Sequence, residues 1–137
     1  MIPELLASQK AYFKTEETKS VSFRKNVLKR LKTELIKREA DINSALYKDF
    51  KKPIFESYAT EIAMVISELD LTIKNLKQWA KPKRVMPSLL NFPSTAKIYS
   101  EPYGNTLIIS PWNYPYQLAI APRSEEHTSE LQSRETI

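Results

Sequence analysis

The hydrophobic residues of this chain change their spacing once, near residue 80, and this change limits the possible folds more than any other feature. Before it, apolar residues recur at helical intervals, and after it they form short alternating or β-branched runs. Helices that lead into a buried strand are typical of an α/β protein entered from its N-terminal side. We therefore expect an α/β fold, with a helical segment at 1–80, an extended proline-containing linker at 81–94 and the start of an α/β domain at 95–122.

The helical segment is predicted to contain several helices, of which the last is the most regular. Pro3 suits the first turn of one helix, and Ser20 or Ser22 can cap the next. Asp41 is expected to cap a third helix that ends before Pro53. The last helix carries one apolar stripe formed by Tyr58, Ile62, Val65, Ile66, Leu69, Ile73 and Leu76. Glu61 and Glu68 lie about two turns apart on it, where surface ion pairing is their expected role.

Two strands are predicted after the linker. The first alternates from Lys97 to Glu101, and Gly104 lies in the turn that follows. The second, Thr106 to Ile109, is continuously apolar, as expected of a strand buried on both faces of a parallel sheet. We expect this strand to lack neighbours in the present chain and to leave its backbone unpaired.

Composition excludes several classes of site. Gly104 is the only glycine in 137 residues, so a glycine-rich loop that cradles phosphates cannot form. The chain has no cysteine, which excludes a thiol nucleophile, a zinc–thiolate site and disulfide bonds. His127 is the only histidine and cannot form a multi-histidine metal site. We therefore predict no metal site.

The chain is basic, with 21 lysines and arginines against 16 acidic residues. Basic residues such as Lys29, Arg30 and Lys37 occupy helix positions that fit a solvated face. The alternative is a basic helical module that binds nucleic acid or an anionic surface, although interleaved aromatic residues are missing. No stretch approaches the roughly 20 apolar residues of a membrane span, and the N-terminus lacks a secretory signal pattern. We expect a soluble, cytoplasmic protein.

The segment from Ser110 to Pro115 carries the most specific chemistry. It follows the end of the apolar strand, where ligands bind in α/β sheets. Pro111 and Pro115 stiffen the loop around Trp112 and Asn113. The amide of Asn113 donates hydrogen bonds without titrating, so it can stabilise a developing oxyanion. A tight loop with an Asx turn is the structural alternative at this point.

Three motifs in order give the chain a resemblance to a known family. They are Glu56-Ser57-Tyr58-Ala59-Thr60-Glu61-Ile62 leading to Trp79, then Glu101-Pro102-Tyr103-Gly104, and finally Ser110-Pro111-Trp112-Asn113-Tyr114-Pro115-Tyr116-Gln117-Leu118. Residues 1–122 resemble the N-terminal part of aldehyde dehydrogenases, especially the class 3 and fatty aldehyde branch. The resemblance implies N-terminal helices leading into the first strands of an NAD-binding domain, here truncated.

The resemblance also implies roles for individual residues. Asn113 would be the oxyanion-hole asparagine, and Tyr114 would border the aldehyde pocket. The cofactor cleft, for NAD or NADP, would be lined by Ile109, Ser110, Pro111 and Trp112. The family reaction oxidises an aldehyde to a carboxylate through a thiohemiacetal on a cysteine. The resemblance implies an aldehyde substrate, no nucleic-acid partner, and a homodimer for the intact parent but not for this chain.

The chain departs from the family pattern in two ways. It has no cysteine, and it lacks the later glycine-rich and catalytic-glutamate segments, so we expect it to be inactive by itself. From Arg123 onward it resembles the translation of a sequencing-library adapter. We therefore exclude 123–137 from functional reasoning, and His127 is not interpreted as a site.

Overall fold

The computed structural model describes residues 2–87, 90, 93–102 and 104–125. Its helices are α1 (Ile2–Lys14), α2 (Val21–Lys37), α3 (Glu39–Phe50), α4 (Ile54–Ser57), α5 (Ala63–Trp79) and α6 (Pro115–Glu125). A 3-10 turn at Glu17–Lys19 precedes α2, and a π-helical turn at Tyr58–Ile62 lies between α4 and α5. The strands are β1 (Lys83–Val85) and β2 (Ala96–Ile98).

The ends of the early helices follow local chemistry. The Phe23 N–H donates to Ser20 Oγ at 3.4 Å, which confirms Ser20 as the N-cap of α2. Helix α3 begins at Glu39, so the predicted cap at Asp41 is wrong, and Asp41 lies in the first helical turn instead. Lys51 ends α3 in the left-handed region at φ 56°. This conformation turns the chain toward Pro53, which precedes α4.

The long helix predicted around the Tyr58 to Leu76 stripe is confirmed, and it starts earlier, at Ile54. Its second turn widens into a π-helix, which shifts the side-chain register relative to a regular α-helix. Glu61 and Ile62 are both completely buried in this turn. The π-helical turn therefore brings a carboxylate into the interior beside an apolar neighbour.

Helix α5 lies at the centre of the packing, against α2 on one side and α6 on the other. The buried apolar residues of the core cluster are Leu28, Leu35, Val65, Leu69 and Leu76. Tyr116 and Ile120 of α6 pack against this cluster. Burying these side chains stabilises the three-helix arrangement by roughly 1.5–3 kcal/mol for each fully buried residue. The start of α6 is therefore held against α5.

The sheet differs from the sequence prediction. Strand β2 begins at Ala96 and ends at Ile98, so it starts one residue before the predicted Lys97–Glu101 strand and covers only its first two residues. It pairs antiparallel with β1, which lies inside the stretch predicted to be an extended linker. Residues 106–109 form no strand in the described structure, and Leu107 is 84 % exposed. This unpaired state is what we expect of a central strand without its neighbours.

The C-terminal helix crosses the predicted boundary at Pro122. Helix α6 continues to Glu125, so the first residues of the adapter-like stretch are helical. Residues 126–137, including His127, lie outside the described residues. In the described part of the chain, no helix has the length and hydropathy needed to cross a membrane.

Candidate active-site loop

The loop that carries Asn113 lies between the extended residues 104–111 and helix α6. Asn113 is exposed, and Trp112 beside it is 88 % exposed. Pro115 occupies the first position of α6, where a missing N–H costs nothing and the fixed φ suits a helix. The carbonyl oxygen of Tyr114 accepts the Leu118 N–H at 3.0 Å. The Tyr114 carbonyl therefore begins the hydrogen-bond pattern of α6.

Glu61 caps the start of α6 from another element. Its Oε2 accepts the backbone N–H of Tyr116 at 2.9 Å and that of Gln117 at 3.3 Å. The first N–H groups of a helix have no partner within the helix, and its N-terminus favours negative charge. The buried carboxylate therefore satisfies two donors and fixes α6 against the π-helical turn.

Lys52 supplies the charge that balances Glu61. Its Nζ donates to Glu61 Oε1 at 2.7 Å, and the Lys52 side chain is only 9 % exposed. The same Nζ lies 4.4 Å from the centroid of the Tyr114 ring, within the range of a cation–π interaction. One buried ion pair therefore contacts the chain on both sides of Pro115: the ring of Tyr114 before it and two backbone donors after it.

This arrangement corrects the role expected for Glu61. The sequence predicted a surface ion pair, whereas Glu61 is completely buried and pairs with a buried lysine. Glu68, two turns further along the helix, is half-buried. The burial of Glu61 had one signal in the sequence: Glu61 directly precedes Ile62, which belongs to the apolar stripe. The residue spacing did not indicate that Lys52 pairs with Glu61, because this pairing depends on the turn of the chain at Lys51.

An open cleft of about 410 Å³ lies beside the loop. Asn113 and Tyr114 line one side, and residues 50–53 together with Glu56 line the other. The amide of Asn113 offers two N–H donors at the edge of this cleft. Of the residues that the resemblance assigned to the cofactor, Ile109 is 83 % exposed and Ser110 is half-buried. Of the predicted site residues, only Asn113 and Tyr114 line this cleft.

Tyr116 follows the loop and lies in an environment that changes its pKa. Burial raises its pKa to about 12, and the nearby Glu61 carboxylate contributes to the increase. Its hydroxyl oxygen is buried, and no hydrogen-bond partner lies among the described residues. The phenol is therefore held in its neutral form across the physiological pH range.

Replacing Tyr116 by phenylalanine is expected to change the pH dependence of folding. The pKa of Tyr116 is higher in the folded chain than the ordinary value of 10.0, so its contribution to stability is complete below pH 10 and is lost toward pH 12. Urea unfolding at pH 8 and pH 11 measures this. The wild type should lose more stability over that interval than Tyr116→Phe, and equal losses would contradict the assignment.

The basic helix faces carry acidic partners. Lys32 Nζ lies 2.6 Å from Asp70, and Lys37 Nζ lies 3.0 Å from Glu34. Arg38 also lies within 4.0 Å of Glu34. Exposed pairs of this kind are typical of a solvated helix face. In the part of the chain that the structure describes, no cluster of three acidic or histidine side chains is arranged to hold a metal ion.

Comparisons with known proteins agree with this fold. A sequence model described as the aldehyde dehydrogenase family matches residues 2–122. The 4,4'-diaponeurosporen-aldehyde dehydrogenase of Staphylococcus aureus is 43% identical over 122 residues, covering 89% of this chain and 27% of that protein. Aldehyde dehydrogenase family 3 member B3 of Mus musculus is 42% identical over 119 residues, covering 87% of this chain and 25% of its own length.

A solved structure gives the same result. The substrate-bound state of Staphylococcus aureus AldH superposes with a TM-score of 0.90 at 41% sequence identity, covering 95% of this chain and 28% of that chain. The fold is therefore the N-terminal portion of an α/β aldehyde dehydrogenase. The chain belongs to the aldehyde dehydrogenase family, with class 3 members among its relatives. It spans about a quarter of the length of the curated relatives that it matches.

Proposed function

We propose that residues 2–122 are the N-terminal segment of an NAD(P)-dependent aldehyde dehydrogenase that oxidises aldehydes to carboxylates. The observation that carries the proposal is the exposed Asn113 amide, on a loop fixed between Pro111 and Pro115 and anchored by a buried ion pair. Family membership supports the reaction class. The chain by itself lacks a cysteine and is inactive in this proposal.

Asn113 has the role of an oxyanion donor. Attack of a cysteine thiolate from the remainder of the enzyme on the aldehyde carbonyl forms a tetrahedral thiohemiacetal with negative charge on oxygen. An amide N–H that already faces this position stabilises the charge without reorganising. Because the amide does not titrate, its donor capacity does not change with pH.

Ile109 to Trp112 form one wall of the cofactor cleft in this proposal. Ile109 and Trp112 present apolar surface that is more than four-fifths exposed, and the Ser110 hydroxyl adds a polar group between them. This mixture of apolar surface and a few polar groups fits a dinucleotide. A bound NAD or NADP would supply the hydride acceptor for the substrate carbon. The chain's own contribution is to bind and orient.

Tyr114 borders the aldehyde pocket. Its ring is 37 % exposed and lies against the Lys52 cation, which restricts its orientation. A fixed aromatic edge next to Asn113 orients an apolar substrate tail while the amide contacts the carbonyl oxygen. The proposed division of the chain is a helical segment at 1–80, a linker at 81–94 and the start of the NAD-binding domain at 95–122. The whole enzyme is proposed to be a cytoplasmic homodimer.

A chimera tests this proposal. Residues 2–122 replace the matched N-terminal segment of the staphylococcal 4,4'-diaponeurosporen-aldehyde dehydrogenase, joined to the remainder of that protein. The expected result is aldehyde-dependent formation of reduced NAD or NADP, followed by ultraviolet absorbance. A chimera that folds, binds the cofactor and yet fails to oxidise any aldehyde accepted by the parent would contradict the proposal.

The chain alone is expected to show no turnover with NAD and a medium-chain aldehyde, because the nucleophile and the base are missing. The measurement uses the purified 137-residue chain at high concentration, with the chimera as the positive control. A rate above the background without protein would show that the chain carries a catalytic group of its own.

A further inference from the structure

The ion pair between Lys52 and Glu61 is unusual because both of its charged side chains are buried. Glu61 is completely buried, Lys52 is 9 % exposed, and the two charged atoms lie 2.7 Å apart. Burying two charges is expensive, and apolar residues of similar size often stabilise a fold equally well. Core stability alone therefore does not account for this pair.

The contacts of the pair converge on the loop that carries Asn113. Glu61 Oε2 accepts the N–H groups of Tyr116 and Gln117, and Lys52 Nζ lies 4.4 Å from the Tyr114 ring centroid. Three of the four residues that follow Asn113 thus contact the pair. Its own side chain is exposed and receives no support from core packing.

We infer that Lys52 and Glu61 are positioning residues that hold the Asn113 amide in its productive orientation. The inference rests on the proposed function, because it assigns the pair to the site that would stabilise the oxyanion. Neither side chain needs to touch the substrate. A displacement of about 1 Å at a donor is enough to reduce catalysis by about a hundredfold, so a rigid support for an exposed amide matters to the reaction.

The direct test replaces both charges at once. Lys52→Met together with Glu61→Leu removes the pair without leaving an unpaired buried charge, so the helical core should still fold. The readout is hydrogen exchange of the complete chain, followed by NMR. The amides of Tyr116 and Gln117 belong to the first turn of α6 and have no donor role within the helix, so their protection reports the contact with Glu61.

In the double variant, the Tyr116 and Gln117 amides should exchange at least about tenfold faster, while amides within α5 change by less than about twofold. The Asn113 side-chain amide resonances should shift or broaden at the same time. Unchanged exchange at Tyr116 and Gln117 would overturn the inference. Uniform acceleration across α5 and α6 would also overturn it, because the pair would then only stabilise the fold.

A matched control removes a similar ion pair elsewhere. Lys32 and Asp70 form a 2.6 Å pair that links α2 to α5, with side chains 27% and 56% exposed. Lys32→Met together with Asp70→Leu should leave the exchange of Tyr116 and Gln117 unchanged within about twofold. Acceleration equal to that of the Lys52 and Glu61 variant would overturn the inference.

The chimera separates this inference from the proposed function. With the Lys52 and Glu61 substitutions, kcat should fall at least about tenfold while the KM for the cofactor stays within about twofold. If the unsubstituted chimera is inactive, the proposed function fails, and the exchange experiment still decides whether the pair holds the loop. If the chimera is active and the substitutions leave kcat unchanged, the positioning role is overturned.

Discussion

Replacing Asn113 by alanine in the chimeric enzyme is expected to lower kcat by about 10²–10³. The amide stabilises negative charge that exists only in the transition state and the tetrahedral intermediate, so the loss appears in kcat. The KM for the aldehyde should change much less, because the neutral carbonyl gains little from the same donor. Steady-state kinetics with a saturating cofactor concentration measures both parameters.

Asn105 provides the matched control for this substitution. It is an exposed asparagine on the same extended segment, and its side-chain amide donates to Gln9 at 3.0 Å. Asn105→Ala should leave kcat within about threefold of the unsubstituted chimera, because this amide lies outside the proposed site. An Asn113→Ala chimera that keeps more than half of its kcat would contradict the assigned role.

Replacing Glu61 by glutamine in the complete chain is expected to lower the free energy of unfolding by about 3–5 kcal/mol. The glutamine has nearly the same shape, but it leaves the buried ammonium group of Lys52 without its counter-charge. Breaking one side of a buried ion pair is therefore costly even where replacing both sides is not. Urea unfolding measures this loss of stability. If the free energy of unfolding depends equally steeply on urea concentration in both chains, they expose the same surface on unfolding.

The same substitution on an exposed pair serves as the control. Glu34 pairs with Lys37 at 3.0 Å, and their side chains are 53% and 65% exposed. Because water screens this pair, Glu34→Gln should lower the free energy of unfolding far less than Glu61→Gln does. Equal effects of Glu34→Gln and Glu61→Gln would show that the burial of Glu61 has no energetic consequence.

Local sequence signals predicted much of the helical structure. The stripe from Tyr58 to Leu76 identified the central helix, because five turns of regular spacing leave little ambiguity. Ser20 was among the predicted caps for a local reason as well: its hydroxyl satisfies a backbone donor three residues away.

Features that depend on distant parts of the chain were not predictable in the same way. Glu61 becomes buried because a π-helical turn shifts the register and because α6 and Lys52 supply partners far away in sequence. Strand β1 was not predicted, because it lies in a proline-containing stretch and depends on pairing with β2. Residues 106–109 carry a strand pattern that only neighbouring strands can satisfy.

The residues proposed for the site are contiguous in the sequence, and their roles stay a prediction. Residues 109–114 were selected from proline spacing, the position after an apolar run and the family resemblance. The ion pair beside these residues was not predicted, because it joins the end of α3 to the π-helical turn. Sequence reasoning therefore proposed the groups that would contact the substrate and did not predict the buried ion pair beside them.

The most direct measurement is a crystal structure of the chimera with an aldehyde trapped as its tetrahedral adduct. The account predicts that Asn113 Nδ2 lies about 2.7–3.1 Å from the adduct oxygen, with Glu61 still bonded to the start of α6. An adduct oxygen that faces other donors, with the Asn113 amide turned away from it, would contradict the account.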